Sequence, residues 1–213
     1  PISDMINHKT IRKEFPVLIE AWEQIGAPQI QNRATLGGNI ANASPAGDSM
    51  PPLSVLNAEI WLGPAVSGQY KTLPLDQVMT GPGQTSINRK QYIAFIFLPY
   101  SDPHNYFWYY RKVGQRKAMA ISKLALAVLA RKQAETVQDI RICAGAVTPQ
   151  IRRAVKTEAL LNAKRLDLQL IEEAKEMFAE EVTPITDIRS SEEYRKNICG
   201  EVLRDALYQL MES

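Results

Sequence analysis

A glycine-rich stretch from Thr35 to Asp48 contains the residues that could bind a charged small molecule. Its two adjacent glycines, Gly37 and Gly38, allow the backbone to adopt positive φ angles and to bring several N–H groups close together. Successive N–H groups of this kind form a concave site that suits an anion such as phosphate. Asp48 adds a carboxylate, which accepts hydrogen bonds from sugar-like hydroxyls. The pattern therefore indicates a ligand that carries both phosphate and hydroxyl groups.

The same stretch has a second interpretation that involves no ligand. The two glycines can form a tight turn, while the side chains of Asn39 and Asp48 cap neighbouring backbone groups. The Thr35 hydroxyl is compatible with either interpretation. The residue types alone do not decide between the two, because short glycine patterns occur in both settings.

The order of residues in this stretch resembles that of a known family. Residues 29–41 read QIQNRATLGGNIA, and the similarity continues through Ser44 and Pro45 to Asp48. The segment is similar to one in the FAD-binding subunits of molybdenum hydroxylases, the family of xanthine, nicotinate and carbon monoxide dehydrogenases. Residues 110–123 and 184–195 are also similar, so the resemblance covers nearly the whole chain.

The resemblance implies an α+β fold and a set of cofactor-binding residues. Residues 1–100 would form the C-terminal part of a PCMH-type FAD-binding domain, incomplete at its N-terminus. Residues 101–213 would form a smaller α+β domain with an antiparallel sheet and helices, similar to the C-terminal domain of CO dehydrogenase flavoproteins. The positions that match the family's FAD-binding residues are Thr35, Leu36, Gly37, Gly38, Asn39, Asp48, Lys112, Ile25 and Ile93. No catalytic side chain and no metal ligand is implied, since the redox chemistry belongs to the flavin.

The resemblance also implies a function in electron transfer. Such a subunit passes electrons from iron–sulfur clusters through FAD to NAD+ or another acceptor, within a molybdopterin-dependent dehydrogenase. The expected partners are an iron–sulfur subunit with 2Fe-2S clusters and a molybdopterin subunit, and the chain is expected to be an oxidoreductase component that is inactive without them. The family's first glycine loop lies upstream of the region matched here. A separate N-terminal fragment of the flavin domain is therefore a further expected partner.

Two alternative functions remain open. One is a flavin-free structural or docking fragment of such a complex. The other is a flavoenzyme similar to UDP-N-acetylenolpyruvoylglucosamine reductase, which has a related fold and a similar glycine loop. The second fits less well, because the residues around Lys112 and the helical tail after Pro184 resemble the molybdenum hydroxylases.

Composition places the chain among ordinary globular proteins. Its 45% hydrophobic and 23% charged residues are typical values, and 213 residues are enough to enclose a hydrophobic core. The formal net charge of +2 is too small to indicate nucleic acid or an anionic membrane as a partner. No apolar run is long enough to span a membrane, and no signal peptide is recognisable, so a cytoplasmic location is expected.

The cysteines do not indicate a metal centre. Cys143 and Cys199 lie far apart, and the chain has only two histidines. The sequence therefore lacks the ligand spacing of iron–sulfur or zinc sites, and no disulfide framework is expected. Each cysteine is expected to be a small buried apolar residue.

The first half of the chain alternates helical and strand patterns. Apolar residues recur every three or four positions over residues 2–25, which predicts two short helices or one kinked at Pro16 and ended by Gly26. Ile25 would then be the last core residue of this helix, if it does not contact a ligand. The patterns of residues 58–62 and 68–72 predict a hairpin, and that of residues 91–98 predicts a further strand. Between them, a helical turn is expected at residues 75–79 and a loop at residues 81–83. The composition of residues 101–104, which include His104, indicates a linker.

The second half opens with an aromatic strand over residues 106–113, whose two apolar faces indicate burial between layers. Lys112 lies on an aromatic face, so it requires either a partner or a path to solvent. Residues 122–131 have helix-favouring alanine and leucine, but the family resemblance favours a strand that pairs with 137–147. The predicted helices cover residues 152–162 after a start at Pro149, residues 168–181 after an Asp167 cap, and a last segment opened by a capping box from Ser190 to Glu193.

Overall fold

The computed structural model describes residues 1–64, 68–99, 106–116 and 118–213. The expected linker at residues 101–104 lies outside the described residues. The helices are α1 (Ile2–Asn7), α2 (Lys9–Glu14), α3 (Pro16–Glu23), α4 (Pro28–Gln31), α5 (Leu36–Ala41), α6 (Met50–Val55), α7 (Leu75–Val78), α8 (Val155–Leu161), α9 (Leu168–Glu181) and α10 (Glu192–Glu212). The strands are β1 (Glu59–Pro64), β2 (Lys71–Pro74), β3 (Met79–Gly81), β4 (Gln84–Thr85), β5 (Gln91–Phe97), β6 (Phe107–Val113), β7 (Leu124–Gln133) and β8 (Thr136–Gly145).

Three short helices open the chain, one more than expected. The predicted break at Pro16 is confirmed, since this proline begins α3. A second break falls at His8, whose ring nitrogen accepts a hydrogen bond from the Ile11 amide and so caps α2. Gly26, with a φ of 55°, follows the end of α3 and turns the chain away.

The N-terminal sheet has the strand order β2-β1-β5, with antiparallel pairs. The predicted hairpin of β1 and β2 is confirmed, although β2 begins at Lys71, later than expected. Ile60 and Leu62 point inward to the core formed with the first helices. The opposite face exposes about half of each of several aromatic side chains, namely Tyr92, Phe95 and Phe97.

The C-terminal sheet, in the order β6-β7-β8, is the middle layer of the molecule. Leu126 and Val128 of β7 join the core built with α9 and α10, whereas Ala127 and Leu129 join the core built with the N-terminal helices. The resemblance-based prediction of a strand is therefore confirmed. The helix propensity of alanine is overridden because both faces of β7 are buried, and small side chains let α6 pack closely.

The helix predicted from Pro149 begins later than expected, at Val155. The intervening residues continue along the sheet, where Arg153 forms an isolated bridge with Cys143 of β8. The Gln150 side chain also donates to the Asp76 and Met79 carbonyls, which holds this segment against the N-terminal half. Tertiary contacts thus keep residues 149–154 out of the helix.

The last two helices follow their predicted caps closely. Asp167 caps α9, because its carboxylate accepts a hydrogen bond from the Leu170 amide at 2.8 Å. The cap of α10 is Ser191 rather than Ser190, and its hydroxyl accepts from the Tyr194 amide. Gly200 lies where α10 meets α9: a Cβ there would lie 2.9 Å from Cγ of Lys175, so glycine permits the close approach.

Both cysteines are buried and free, as predicted, and burial raises the pKa of each thiol to about 12. No cluster of acidic, histidine and cysteine side chains suited to a metal ion occurs within the described ranges. In the same part of the chain, no helix is both long and apolar enough to cross a membrane.

Candidate functional site

The glycine pair lies in a short helix and not in the expected turn. Thr35 caps α5, and its hydroxyl accepts a hydrogen bond from the Gly38 amide at 3.0 Å. Gly37 and Gly38 are helical, and the residue of this stretch with a positive φ is Ala43, at 46°. The predicted positive-φ turn with a concave array of amides is therefore wrong. A threonine cap and the buried Leu36 make the first turn of a helix more favourable.

The start of α5 nevertheless leaves backbone donors unused by the helix. The first hydrogen bonds of α5 come from the amides of Gly38 and Asn39, both to Thr35. The Leu36 and Gly37 amides precede these bonds, as the first amides of any helix do. Gly38 is exposed, so its lack of a side chain keeps this end open.

Ile93 lies beside the start of α5. A Cβ atom on Gly37 would lie 3.9 Å from Cβ of Ile93 in β5, which is an ordinary van der Waals distance. Ile93 is partly buried against the N-terminal core. The structure thus brings one of the two predicted apolar contacts next to the glycine pair, although the two are far apart in the sequence.

Asp48 and Lys112, 64 positions apart, form a buried ion pair with Nζ and Oδ2 separated by 2.7 Å. Lys112 Nζ also donates to the Gln24 carbonyl at 2.9 Å. The Ser122 hydroxyl donates to the other carboxylate oxygen of Asp48 at 2.5 Å. Lys112 therefore has a partner and does not extend to solvent. Asp48, expected to be an acceptor for ligand hydroxyls, already has two donors from the C-terminal half.

The surroundings of this pair are apolar enough to shift nearby pKa values. Burial raises the pKa of Asp48, and the hydrogen bonds from Lys112 and Ser122 oppose that rise. Burial, with the negative charges of Asp48 and Glu20, raises the pKa of Tyr110 well above its ordinary value. The Tyr110 hydroxyl therefore stays neutral, and it has no hydrogen-bond partner among the described residues.

Gln31 holds in place the end of α3, which supplies the second acceptor of Lys112. Its side-chain amide donates to the carbonyls of Trp22 and Ile25, at 3.3 and 3.0 Å. These bonds hold the end of α3, where the Gln24 carbonyl accepts from Lys112. Ile25 follows directly and is half-buried. It lies after the helix, and not in it as predicted, because α3 ends at Glu23.

The Asn39 side chain lies near the residue that precedes Asp48. Its Nδ2 lies 3.7 Å from where a Cβ atom of Gly47 would be, and Gly47 precedes Asp48. Its Oδ1 is buried without a hydrogen-bond partner within the described residues. Of the nine residues predicted from the sequence, the structure thus places Ile93 beside Gly37 and pairs Lys112 with Asp48, and the second acceptor of Lys112 is the carbonyl of the residue before Ile25.

Comparison with known proteins identifies the family. A model of the FAD binding domain in molybdopterin dehydrogenase matches residues 1–101, and a model of the CO dehydrogenase flavoprotein C-terminal domain matches residues 108–210. The glyceraldehyde dehydrogenase medium chain of Sulfolobus acidocaldarius is 30% identical over 196 residues, which cover 92% of this chain and 68% of the relative. The chain belongs to the FAD-binding medium subunits of the molybdenum hydroxylases.

Further similarities confirm the family and the α+β fold of this medium subunit. The nicotine 6-hydroxylase medium subunit of Paenarthrobacter nicotinovorans is 29% identical, over 96% of this chain and 70% of the relative. The structure of carbon monoxide dehydrogenase from Hydrogenophaga pseudoflava superposes with a TM-score of 0.89 and 28% identity, over 96% of this chain and 70% of that one. These relatives are subunits of oxidoreductases.

The residues of the medium subunit fit a group such as FAD in their chemistry. The unused amides at the start of α5 suit phosphate oxygens, and the Lys112 ammonium supplies positive charge. The buried Oδ1 of Asn39 lacks a donor within the described residues, and a cofactor hydroxyl can supply one. Gly37 and Gly38 leave space at this end because they have no side chain.

Sequence reasoning missed three groups at this site: the Ser122 hydroxyl, the Gln24 carbonyl and the Tyr110 hydroxyl. A small serine in a loop has no spacing that marks it, and a backbone carbonyl has no residue type to recognise. The alternation of β6 did place Tyr110 and Lys112 on the same face, which is confirmed. That alternation was the one available signal for Tyr110.

Proposed function

We propose that this medium subunit binds FAD along the surface from α5 to Lys112 and transfers electrons from iron–sulfur clusters to NAD+ or another acceptor. The observation that supports this most is the buried Lys112 ammonium, paired with Asp48 at the family's cofactor-binding positions. A buried ammonium is costly unless its remaining N–H donors also find acceptors. Lys112 has three N–H donors, and the described residues provide acceptors for two.

Each residue has a proposed part in holding the cofactor. The Leu36 and Gly37 amides and the Thr35 hydroxyl bind phosphate or hydroxyl oxygens, and Asn39 accepts from a hydroxyl. Lys112 stabilises negative charge, with Asp48 as its counter-ion. The remaining residues, Gly38, Ile25 and Ile93, supply open backbone and apolar contact. FAD, when bound, supplies the ability to accept electrons singly and release them as a pair.

We also propose the organisation of the whole assembly. Residues 1–100 form the FAD-binding unit and residues 101–213 the C-terminal unit, which contributes Lys112 to the site. An iron–sulfur subunit and a molybdopterin subunit supply the other cofactors, and the medium subunit is inactive without them. The family's other glycine loop completes the site, whichever polypeptide carries it. The protein acts in the cytoplasm.

Flavin content tests the proposed function directly. The complex is purified from its native source, the cofactor is released by denaturation, and its visible absorption gives the amount of FAD per medium subunit. A recombinant complex with Lys112→Met is then compared with the control Lys90→Met, which removes a lysine that is exposed on the surface. We expect stoichiometric FAD in the native complex and the control, and less than a tenth of that in Lys112→Met.

Each outcome has a definite meaning. A native complex without FAD would overturn the electron-transfer function and leave a structural docking role. FAD in the complex, with equal retention by both lysine variants, would show that the cofactor binds elsewhere than at Lys112.

A further inference from the structure

The Asp48 carboxylate is held from two sides by the C-terminal half. Lys112 of β6 contacts Oδ2, and Ser122 contacts Oδ1 at 2.5 Å. Ser122 is almost fully buried, with 1% of its surface exposed. Each oxygen of the carboxylate therefore has one donor, and the two donors come from the two ends of the loop between β6 and β7.

The position of Ser122 is fixed by the sheet and not by the loop alone. The next residue, Lys123, donates its amide to the Val113 carbonyl at 2.8 Å, which closes the loop at the end of β6. Leu124 then begins β7 and pairs with Val113. The residues that follow Ser122 are thus bonded to the end of the strand that carries Lys112, so this strand end positions both donors.

We infer that Ser122 is a positioning residue for the cofactor site: its hydroxyl fixes the Asp48 carboxylate so that the carboxylate, in turn, holds the Lys112 ammonium in place for the ligand. The inference rests on the proposed binding of FAD at Lys112. It assigns a role to a side chain that itself lies behind the carboxylate and need not contact the cofactor.

The physical reason is that a buried carboxylate needs its hydrogen bonds to remain charged. Hydrogen bonds to an ionised acceptor are about twice as strong as those between neutral groups. Removal of the Ser122 hydroxyl leaves Oδ1 without that donor, which favours rotation or protonation of Asp48. Either change weakens the hold on Lys112. The Tyr110 hydroxyl is the other titratable group close to this carboxylate: burial and the charges of Asp48 and Glu20 raise its pKa, so it is neutral.

The test compares three variants of the intact complex. Ser122→Ala removes the hydroxyl, and Ser122→Thr retains it; Ser122 borders a cavity of about 230 Å³, which gives the added methyl group room. The matched control is Ser49→Ala, because Ser49 is also fully buried but accepts from Trp22 Nε1 and does not contact Asp48 in this way. Affinity for FAD is measured by flavin fluorescence after removal and re-addition of the cofactor.

We expect Ser122→Ala to weaken FAD binding about tenfold, and Ser122→Thr and Ser49→Ala to stay within about threefold of the unmodified complex. A second measurement is the pH at which FAD is released on acidification. Loss of a hydrogen bond to the charged form raises the pKa of Asp48, so Ser122→Ala should release FAD at a higher pH than the unmodified complex does. When FAD is supplied at the same multiple of each variant's Kd at neutral pH, a loss of packing alone would not move this pH.

The outcomes separate the two proposals. An unmodified complex without FAD would overturn both. FAD in the unmodified complex, together with unchanged affinity and release pH in Ser122→Ala, would overturn the role of Ser122 and leave the proposed function intact. Should Ser122→Ala fail to fold, Ser122→Thr decides: normal affinity and release pH support the hydroxyl's role, and a tenfold loss in a folded Ser122→Thr complex contradicts it.

Discussion

Two buried carboxylates, Asp48 and Glu158, differ in how completely they are paired. Glu158 of α8 accepts from the Ile142 amide and from two nitrogens of Arg153, at 2.7, 2.8 and 2.6 Å. Arg153 donates further to the Asn57 side chain. Asp48, in contrast, accepts from one lysine nitrogen and one serine hydroxyl.

The two carboxylates also differ in whether nearby buried polar atoms lack hydrogen-bond partners. Near Asp48, the Tyr110 hydroxyl and the Asn39 carbonyl oxygen are buried without partners among the described residues. Neither Glu158 nor Arg153 has such a buried atom in the part of the chain that the structure describes. A saturated network stabilises a fold, whereas an unsaturated buried one is costly unless another group supplies the missing hydrogen bonds.

The largest expected effect concerns the saturated network. Glu158→Ala leaves the Ile142 amide without its acceptor, and the Arg153 guanidinium retains its bond to the Asn57 side chain. We expect it to lower the free energy of unfolding by about 3–5 kcal/mol, as measured by urea denaturation. The control is Glu135→Ala, whose exposed pair with Arg165 at 3.8 Å should contribute less than about 1 kcal/mol. Similar losses in the two variants would contradict the comparison.

Lys112→Met should lower the free energy of unfolding by about 2 kcal/mol, which is less than the loss expected for Glu158→Ala. The loss is smaller because Asp48 can take up a proton once its counter-ion is gone. Addition of Asp48→Asn to Lys112→Met should recover part of this loss. Urea denaturation of both variants gives the numbers. A loss greater than that of Glu158→Ala would show that the Asp48 pair is the more important structural contact.

The pH dependence of stability should have opposite signs at Asp48 and Asp187. Burial raises the folded-state pKa of Asp48 above 3.8, so its contribution declines as pH rises from 3.8 through the raised value. The pKa of Asp187 is lowered: burial alone would raise it, but hydrogen bonds from the Arg189 amide and the Arg195 side chain outweigh that effect. The contribution of Asp187 to stability is therefore fully present above pH 3.8, and it is lost as the pH falls through the lowered folded-state pKa.

Thermal unfolding against pH tests these two signs. The unmodified protein is compared with Asp48→Asn and with Asp187→Asn between pH 3 and neutrality. The difference curve for Asp48 should fall as pH rises, and that for Asp187 should rise. Two curves of the same sign would mean that Asp48 behaves as an ordinary surface-stabilised carboxylate.

The smallest effect is expected from Asn57→Gly, because glycine accommodates the φ of 53° at this position without strain. This variant removes the outer hydrogen bond of the saturated network, 3.0 Å from Arg153 Nη1, at an exposed position. We expect a loss of about 0.5–1 kcal/mol in urea denaturation and no change in FAD content. A change in FAD content would indicate that the two networks are coupled through the core.

Much of the fold could be predicted from local signals. The Asp167 cap, the break at Pro16 and the alternation of β6 each involve neighbouring residues, and the structure confirms them. The delayed start of α8 could not be predicted, because contacts of Gln150 and Arg153 with distant elements decide it. The helical form of the glycine pair was also missed, since its threonine cap competes with a turn of similar sequence.

By itself, the sequence determined the family, the apolar faces of the strands and the residue types at the candidate site. Those properties depend on composition and short spacing, which a linear chain displays directly. Only the tertiary structure decided that Lys112 pairs with Asp48, that Ser122 donates to the same carboxylate and that Ile93 lies beside Gly37. These contacts join residues far apart in the chain, and they form because β6 and β7 pack against the N-terminal helices.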